Sequence, residues 1–127
     1  MSALVLDSGA FIAIDRGDRV TAARLRVGQG SGIDLRTTGI VVAQIWRDSD
    51  GRQANISRLL KAVEVKAVDE VLGQEAGVLL GRATSNDAVD ATVVAVAVSG
   101  DAILTSDPND IRLLVGASER SIKVLAC

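Results

Sequence analysis

Three aspartates stand where apolar segments of this 127-residue chain begin or end. Asp7 follows the apolar residues 3–6, Asp90 precedes the almost purely apolar residues 91–98, and Asp107 follows a second short apolar run. Burying an unpaired carboxylate is costly, and carboxylates held close together repel until a proton or a cation relieves them. Grouped aspartates of this kind therefore indicate a cation site and the reactions that a cation assists.

The composition narrows the kind of cation. The chain has no His and one Cys, Cys127, which excludes His-based acid–base catalysis and metal sites built from His or paired Cys. A hard divalent cation such as Mg²⁺ or Mn²⁺ takes oxygen ligands, and it is the metal that these carboxylates predict. Such a cation can activate water and stabilise a phosphoryl transition state.

Several acids in and near these segments also have a structural interpretation, and the sequence alone leaves the choice open. Asp87 fits the N-cap of a helix, Asp101 fits a turn, and Asp7 could cap the helix that follows it. Two groups of basic residues are equally open, because they suit either solvated helix faces or a rim that contacts phosphates. They are Arg16, Arg19, Arg24 and Arg26, and then Arg47, Arg52, Arg58 and Lys61.

Alternating strand and helix patterns run along the whole chain and predict one domain over residues 1–127. Asp18 and Asp69 fit helix N-caps, and Val20, Ala23 and Val27 form an apolar stripe on the first of these helices. Strands are predicted at 3–7, 33–38, 64–68, within 101–107 and at 121–126, and helices at 8–17, 18–28, 39–48, 52–63, 69–84, 87–98 and 108–118. The fold class is α/β, with a mainly parallel five-stranded sheet flanked by helices.

The three aspartates are expected to meet at one edge of this sheet. Functional sites in such folds form outside the carboxyl ends of the strands. Asp7 closes the first strand, Asp107 closes the fourth, and Asp90 lies in the first turn of the helix that leads into the fourth strand. Acids from distant parts of the sequence could therefore converge there.

Two segments resemble the PIN-domain ribonucleases of the VapC toxin type. They are "LVLDSGAFIA" near the start and "DATVVAVAVSGDAILTSDPNDI" near the end, and the resemblance covers essentially the whole chain. The family has an acid at the end of its first strand and an acid directly before a buried Ala-rich helix. Its third acid is the Asp of a Thr-x-Asp at the next strand end. Asp7, Asp90 and Asp107 match these positions, and Thr105 supplies the threonine.

The resemblance implies a PIN-like three-layer sandwich and metal-dependent hydrolysis of RNA phosphodiester bonds. It implies that Asp7, Asp90 and Asp107 hold one or two Mg²⁺ (or Mn²⁺) ions, with Ser8 and Thr105 hydrogen-bonding around them. It further implies a homodimer and a cognate antitoxin whose tail inserts into the site.

One position departs from the family pattern. The family usually has a Glu in the helix after the second strand, where this chain offers Gln44, whose neutral amide is a poorer Mg²⁺ ligand. Asp48 lies one helical turn further on, and Asp110 matches a secondary acid of many relatives. Gln44, Asp48 and Asp110 are therefore candidates for a supporting role at the site.

Other functions remain open. Gln44 supports a catalytically weak PIN-like domain that acts as a binding or scaffold module. A haloacid-dehalogenase-type phosphatase needs a second acid two residues after the first, where Gly9 stands. A two-component receiver domain needs an acid pair and a late lysine, which "MSALVLD" and Lys123 do not provide.

The sequence has no basic leader followed by an apolar run and no apolar stretch of about 18 residues. We therefore expect a soluble cytoplasmic protein without a membrane partner.

Overall fold

A computed structural model describes residues 2–47 and 53–127. Strands and helices alternate through both ranges much as the sequence predicts, with some helices ending earlier or later than expected. The strands are β1 (Ala3–Leu6), β2 (Asp34–Thr38), β3 (Val63–Lys66), β4 (Ala102–Thr105) and β5 (Lys123–Ala126). The helices are α1 (Ser8–Asp15), α2 (Arg19–Gly30), α3 (Gly39–Ile45), α4 (Ala54–Leu60), α5 (Glu70–Ala83), α6 (Ala88–Ala95) and α7 (Pro108–Ser118).

The strands form one all-parallel sheet in the order β3-β2-β1-β4-β5. The chain builds outward from β1 through β2 to β3, then crosses to the other side of β1 to form β4 and β5. The order therefore reverses between β1 and β4, which is where parallel α/β sheets open a crevice for ligands. Asp7 and Asp107 follow these two neighbouring strands.

Helices cover both faces of the sheet. Helix α1 packs on α2, α3 and α4, whereas α5, α6 and α7 pack on one another. All four residues of β1 are buried, as are Ile103 and Leu104 of β4, because central parallel strands have helices on either side. This arrangement confirms the predicted three-layer α/β sandwich.

The helix caps expected from the sequence are present. The Asp18 carboxylate accepts hydrogen bonds from the N–H groups of Val20 and Thr21, and the Asp69 carboxylate accepts one from Leu72. Each carboxylate satisfies backbone donors that the first turn of a helix leaves unpaired.

Helix α2 packs differently from what its apolar stripe suggests. Val20 and Val27 are 64% and 68% exposed, and the buried residues of α2 are Thr21, Leu25 and Gly28. These three also recur at helical spacing, and Thr21 and Gly28 each directly follow one of the exposed valines. A helix with two such stripes does not reveal from its sequence which of them faces the sheet.

Asp101 has a structural role at the amino edge of the sheet. Its buried carboxylate accepts hydrogen bonds from the N–H of Ala3 (2.8 Å) and of Val98 (2.9 Å), and Arg36 Nη1 lies 3.5 Å from it. The Asp101 carboxylate therefore links the start of β1, the turn before β4 and the Arg36 side chain on β2. The described residues contain no helix long and apolar enough to cross a lipid bilayer.

Candidate metal centre

Asp7 lies directly after β1 and is 3% exposed. One carboxylate oxygen accepts a hydrogen bond from the Ser8 N–H (2.8 Å) at the start of α1, and the other accepts one from the Thr105 hydroxyl (2.7 Å). Thr105 Oγ1 in turn accepts a hydrogen bond from the N–H of Asp107 (2.9 Å). One threonine thus links the acids that follow β1 and β4, and Asp7 is both a helix cap and a candidate ligand.

Asp90 lies in the first turn of α6 and is 6% exposed. Asp87 caps this helix by accepting the N–H of Asp90 (3.0 Å), so the Asp90 carboxylate is not needed as a cap. Its buried Oδ2 has no hydrogen-bond partner among the described residues. Burial, followed by the charges of Asp7, Asp87, Asp107 and Asp110, raises the pKa of Asp90 to about 7.

Asp107 occupies the N-cap position of α7 but does not cap the helix with its side chain. Pro108 at the first helical position has no N–H to satisfy, so one backbone donor that a cap could serve is missing. Loss of solvent, then the charge and hydrogen bond of Asp110, and then the charges of Asp7 and Asp87 raise the pKa of Asp107. Its carboxylate is therefore held near other acids instead of near a helix N–H.

Three carboxylates converge at this edge of the sheet. One oxygen each from Asp90, Asp107 and Asp110 lies within 4.8 Å of the others. Ligands on opposite sides of a Mg²⁺ ion are about 4.2 Å apart, twice the usual ligand distance, so this spacing is close to what one ion spans. Asp7 does not belong to this group of three, but its charge acts on both Asp90 and Asp107.

The arrangement fits a hard divalent cation. All three donors are carboxylate oxygens, and the buried Asp90 oxygen lacks any other partner. Burial is the first cause of the raised pKa of Asp90 and Asp107, and repulsion among the acids adds to it. A bound cation would relieve that repulsion. Asp90, Asp107 and Asp110 could hold the cation directly, and Asp7, whose charge acts on Asp90 and Asp107, could join them as a further ligand.

The remaining sequence candidates differ in what the structure says of them. Ser8 and Thr105 both hydrogen-bond Asp7, whereas Gln44 lies exposed on α3 and has no hydrogen bond to an acid of the site. Asp48 lies outside the described residues, as does Arg52 of the second basic group. Asp110, considered from sequence as a supporting acid, is part of the close group of three.

Gly9 is a site residue that the sequence did not single out as such. A Cβ atom there would lie 2.6 Å from Ser106 Cβ and 2.8 Å from Ser106 N. A glycine is thus required for the first turn of α1 to approach the loop that carries Asp107. The available signal was a small residue directly after the strand-end acid and its neighbouring serine.

A cleft of about 510 Å³ lies along α1. Gly9 and Ser106 line one part of it, and Arg16, Asp18 and Cys127 line another. Arg16 is exposed and makes no ion pair with a described residue. Arg16 thus shares a cleft with Gly9 and Ser106, the residues through which α1 approaches the loop that carries Asp107.

The fold is shared with known structures although the sequence is not. Neither protein-family models nor curated protein sequences give a match. A chain of the VapBC2 complex of Rickettsia felis, solved on a DNA fragment from its promoter, superposes with a TM-score of 0.71 at 11% identity, covering 96% of this chain and 98% of that one. A chain of FitAB, solved on the IR36 DNA fragment, gives a TM-score of 0.63 at 13% identity, covering 97% and 94%. At these identities the likeness is one of fold, and the chain adopts the PIN-domain fold of VapC and FitB.

Proposed function

We propose that this protein is a divalent-metal-dependent endoribonuclease, a hydrolase of RNA phosphodiester bonds, and the toxin of a toxin–antitoxin pair. The observation that carries the proposal is the unpartnered, buried Asp90 oxygen beside two further carboxylates at the reversal point of a PIN-fold sheet. A buried acid without a donor is unfavourable for stability alone, which favours a functional reason for its presence.

Asp7, Asp90 and Asp107 are the proposed catalytic residues and hold Mg²⁺ or Mn²⁺. When bound, such a cation supplies positive charge to a phosphoryl transition state and lowers the pKa of a water molecule. Thr105 fixes the position of Asp7 by donating its hydroxyl hydrogen, and Ser8 fixes the other oxygen through its backbone N–H.

The substrate is proposed to be RNA because its phosphates suit the charges around the site. The acidic group repels a polyanion by itself, so neighbouring cations have to offset that repulsion. Arg16, which lines the cleft with Gly9 and Ser106, is the proposed contact to a phosphate next to the scissile one. Arg47 and Arg58 are exposed on and near α3 and α4 and offer further contacts.

The proposed partners are a cognate antitoxin and a second copy of the chain. Both structural neighbours were solved within two-component complexes on DNA, VapBC2 and FitAB. By analogy of fold, we propose that an antitoxin silences this protein and that it works as a homodimer in the cytoplasm.

A second candidate function is a catalytically weak PIN-like module that binds without cutting. The observation in its favour is that α3, Gly39–Ile45, contains no carboxylate and presents Gln44 to solvent. Cleavage that depends on a divalent metal separates the two functions.

The test is cleavage of a structured RNA by the purified chain with Mg²⁺, with Mn²⁺ and with a chelator. We expect cleavage in either metal, none in chelator, and loss of at least about 100-fold in rate for Asp7→Asn, since a metal ligand is removed. Glu75→Gln, an exposed acid on α5, is the control for a loss of one charge elsewhere. A folded Asp7→Asn protein that cuts RNA at the original rate would contradict the site assignment, and cleavage in chelator would contradict metal dependence.

A further inference from the structure

Helix α3 and the two described residues after it have no acid with which to complete a metal site. Residues 39–47 contain neither Asp nor Glu, and Gln44 is the one side chain there with a carbonyl oxygen and no charge. The PIN-like site would therefore have one carboxylate fewer than the sequence resemblance leads us to expect, and the cation would be less well neutralised. Another element has to supply the missing charge if the ion is bound tightly.

Asp110 adds a charge to the group of acids at this edge of the sheet. It is in the first turn of α7, and one of its carboxylate oxygens lies within 4.8 Å of oxygens of both Asp90 and Asp107. None of the described backbone or side-chain N–H and O–H groups donates to it, apart from its contact with Asp107. Its oxygens are thus available to a cation.

The buried Asp90 oxygen is the second, independent observation. This oxygen, Oδ2, is sealed from solvent and has no donor among the described residues, and Asp90 belongs to the same group of three acids as Asp110. A group of exposed acids alone would need no ion, because water could solvate each member. Asp90 Oδ2 has neither water access nor a donor, and a cation held between Asp90, Asp107 and Asp110 would give it a partner.

Asp7 differs from Asp110 in this respect. Both of its oxygens already accept hydrogen bonds from protein donors, Ser8 N–H and the Thr105 hydroxyl. Those bonds leave lone pairs free but fix the carboxylate in one orientation, next to the acid group and outside the close set of three. Asp110 has no such restraint.

We propose that Asp110 is a direct ligand of the divalent cation in this chain and fills the place of the carboxylate that α3 lacks. The inference rests on the proposed function, because it assigns a further ligand to the same metal site. It differs from the expectation drawn from sequence, in which Asp110 only supports the ligands.

The test is a calorimetric titration of the full chain with Mn²⁺, compared for the original protein, Asp110→Asn and Asp110→Glu. Losing a group that merely hydrogen-bonds a metal ligand weakens affinity about 10- to 100-fold, so losing a ligand should cost at least as much. We expect Asp110→Asn to reach that loss and Asp110→Glu, which keeps a carboxylate, to recover part of it. Glu75→Gln should remain within about twofold, because screening weakens a distant exposed charge.

A melting curve of each variant in chelator establishes that it folds. Asp110→Asn should melt at the same temperature as the original or higher, since one repelling charge is gone. If Asp110→Asn is folded and binds Mn²⁺ with the original affinity, the inference is wrong while the nuclease proposal stands. If Mn²⁺ binding needs Asp110 but no RNA is cut, the nuclease proposal fails and the inference stands, and a chain that binds no Mn²⁺ overturns both.

A second variant tests whether the two positions are interchangeable. Gln44→Glu, added to Asp110→Asn, returns a carboxylate to α3 and should restore part of the lost Mn²⁺ affinity through Coulomb attraction. No recovery in a folded double variant would overturn the claim that Asp110 stands in for an acid of α3.

Discussion

Asp90 shows how one residue can be costly for the fold and useful to the site. Its carboxylate is nearly sealed from water, and Oδ2 has no donor within the described residues. Burial and the surrounding acids raise its pKa from 3.8 to about 7. The folded protein therefore holds a proton there over a range in which the unfolded chain has already released it.

The first prediction at this scale concerns the pH dependence of stability without metal. Between about pH 4 and 7 the folded state binds more protons at Asp90 than the unfolded state, so the free energy of unfolding falls as pH rises through that interval and levels off above it. Asp107, whose pKa is also raised, acts in the same direction. Asp90→Asn should remove much of this slope and be more stable than the original protein at pH 8.

Chemical denaturation in chelator, at several values between pH 5 and 8.5, measures this effect. Glu75→Gln should keep the original slope, because that acid is exposed on another helix. An Asp90→Asn protein that loses stability with rising pH as steeply as the original would show that Asp90 is ionised in the fold throughout.

At the residue scale the sequence locates the acids but not their grouping. Asp7, Asp90 and Asp107 can be recognised from their places at strand and helix ends, and each lies at the predicted edge of the sheet. The close approach of Asp110 to Asp90 and Asp107 could not be predicted, because it depends on the Asp107 side chain making no capping hydrogen bond to α7. Cap geometry of that kind is set by packing and not by residue type.

At the scale of elements, the contact between α1 and the loop after β4 holds two halves of the site together. Gly9 makes it possible, since any Cβ at that position would overlap Ser106, including its backbone nitrogen. A backbone atom cannot move aside as the end of a flexible side chain can. The contact therefore fixes Asp7 and Asp107 relative to each other.

Gly9→Ala should lower stability by about 1–3 kcal/mol, as expected for overpacking, and weaken Mn²⁺ binding because α1 must shift from the loop. The matched control is Gly73→Ala in α5, where an added Cβ meets open space. That change should raise stability by about 0.5–1 kcal/mol, because alanine favours a helix interior over glycine. Equal effects of the two substitutions on melting temperature would show that the close contact does not constrain α1.

The order of strands and helices is predictable at this scale, and the orientation of the helices is less so. Continuous apolar runs such as β1 and caps such as Asp69 are local features that the sequence displays directly. The buried side of α2 depends on which of two stripes meets the sheet, and the exposed Val20 and Val27 show that the apolar pattern alone does not decide it. Tertiary packing decided it, with Leu25 inward.

For the whole molecule, the two edges of the sheet use buried aspartates in opposite ways. At the amino edge, Asp101 has N–H donors from Ala3 and Val98 and a cationic partner in Arg36. At the carboxyl edge, Asp90 has other acids for neighbours and an unpartnered oxygen. The first arrangement gives a buried carboxylate donors and a cation, which stabilises the fold, whereas the second destabilises the fold until a proton or cation neutralises Asp90.

The last prediction compares these edges. In Asp101→Asn, an amide NH₂ has to face at least one of the donors that the carboxylate now accepts from, and Arg36 keeps Glu64 but loses one of its two charged partners. We expect a loss of about 2–4 kcal/mol in the free energy of unfolding. Because about 13 Å of strand separates the two edges, Mn²⁺ affinity should change little.

Asp90→Asn should do the reverse, with a higher melting temperature in chelator and weak Mn²⁺ binding. Melting in chelator and calorimetry on both variants measure this contrast. Two variants that lose stability together, or lose Mn²⁺ together, would mean that the edges of the sheet do not divide structure from function in this way.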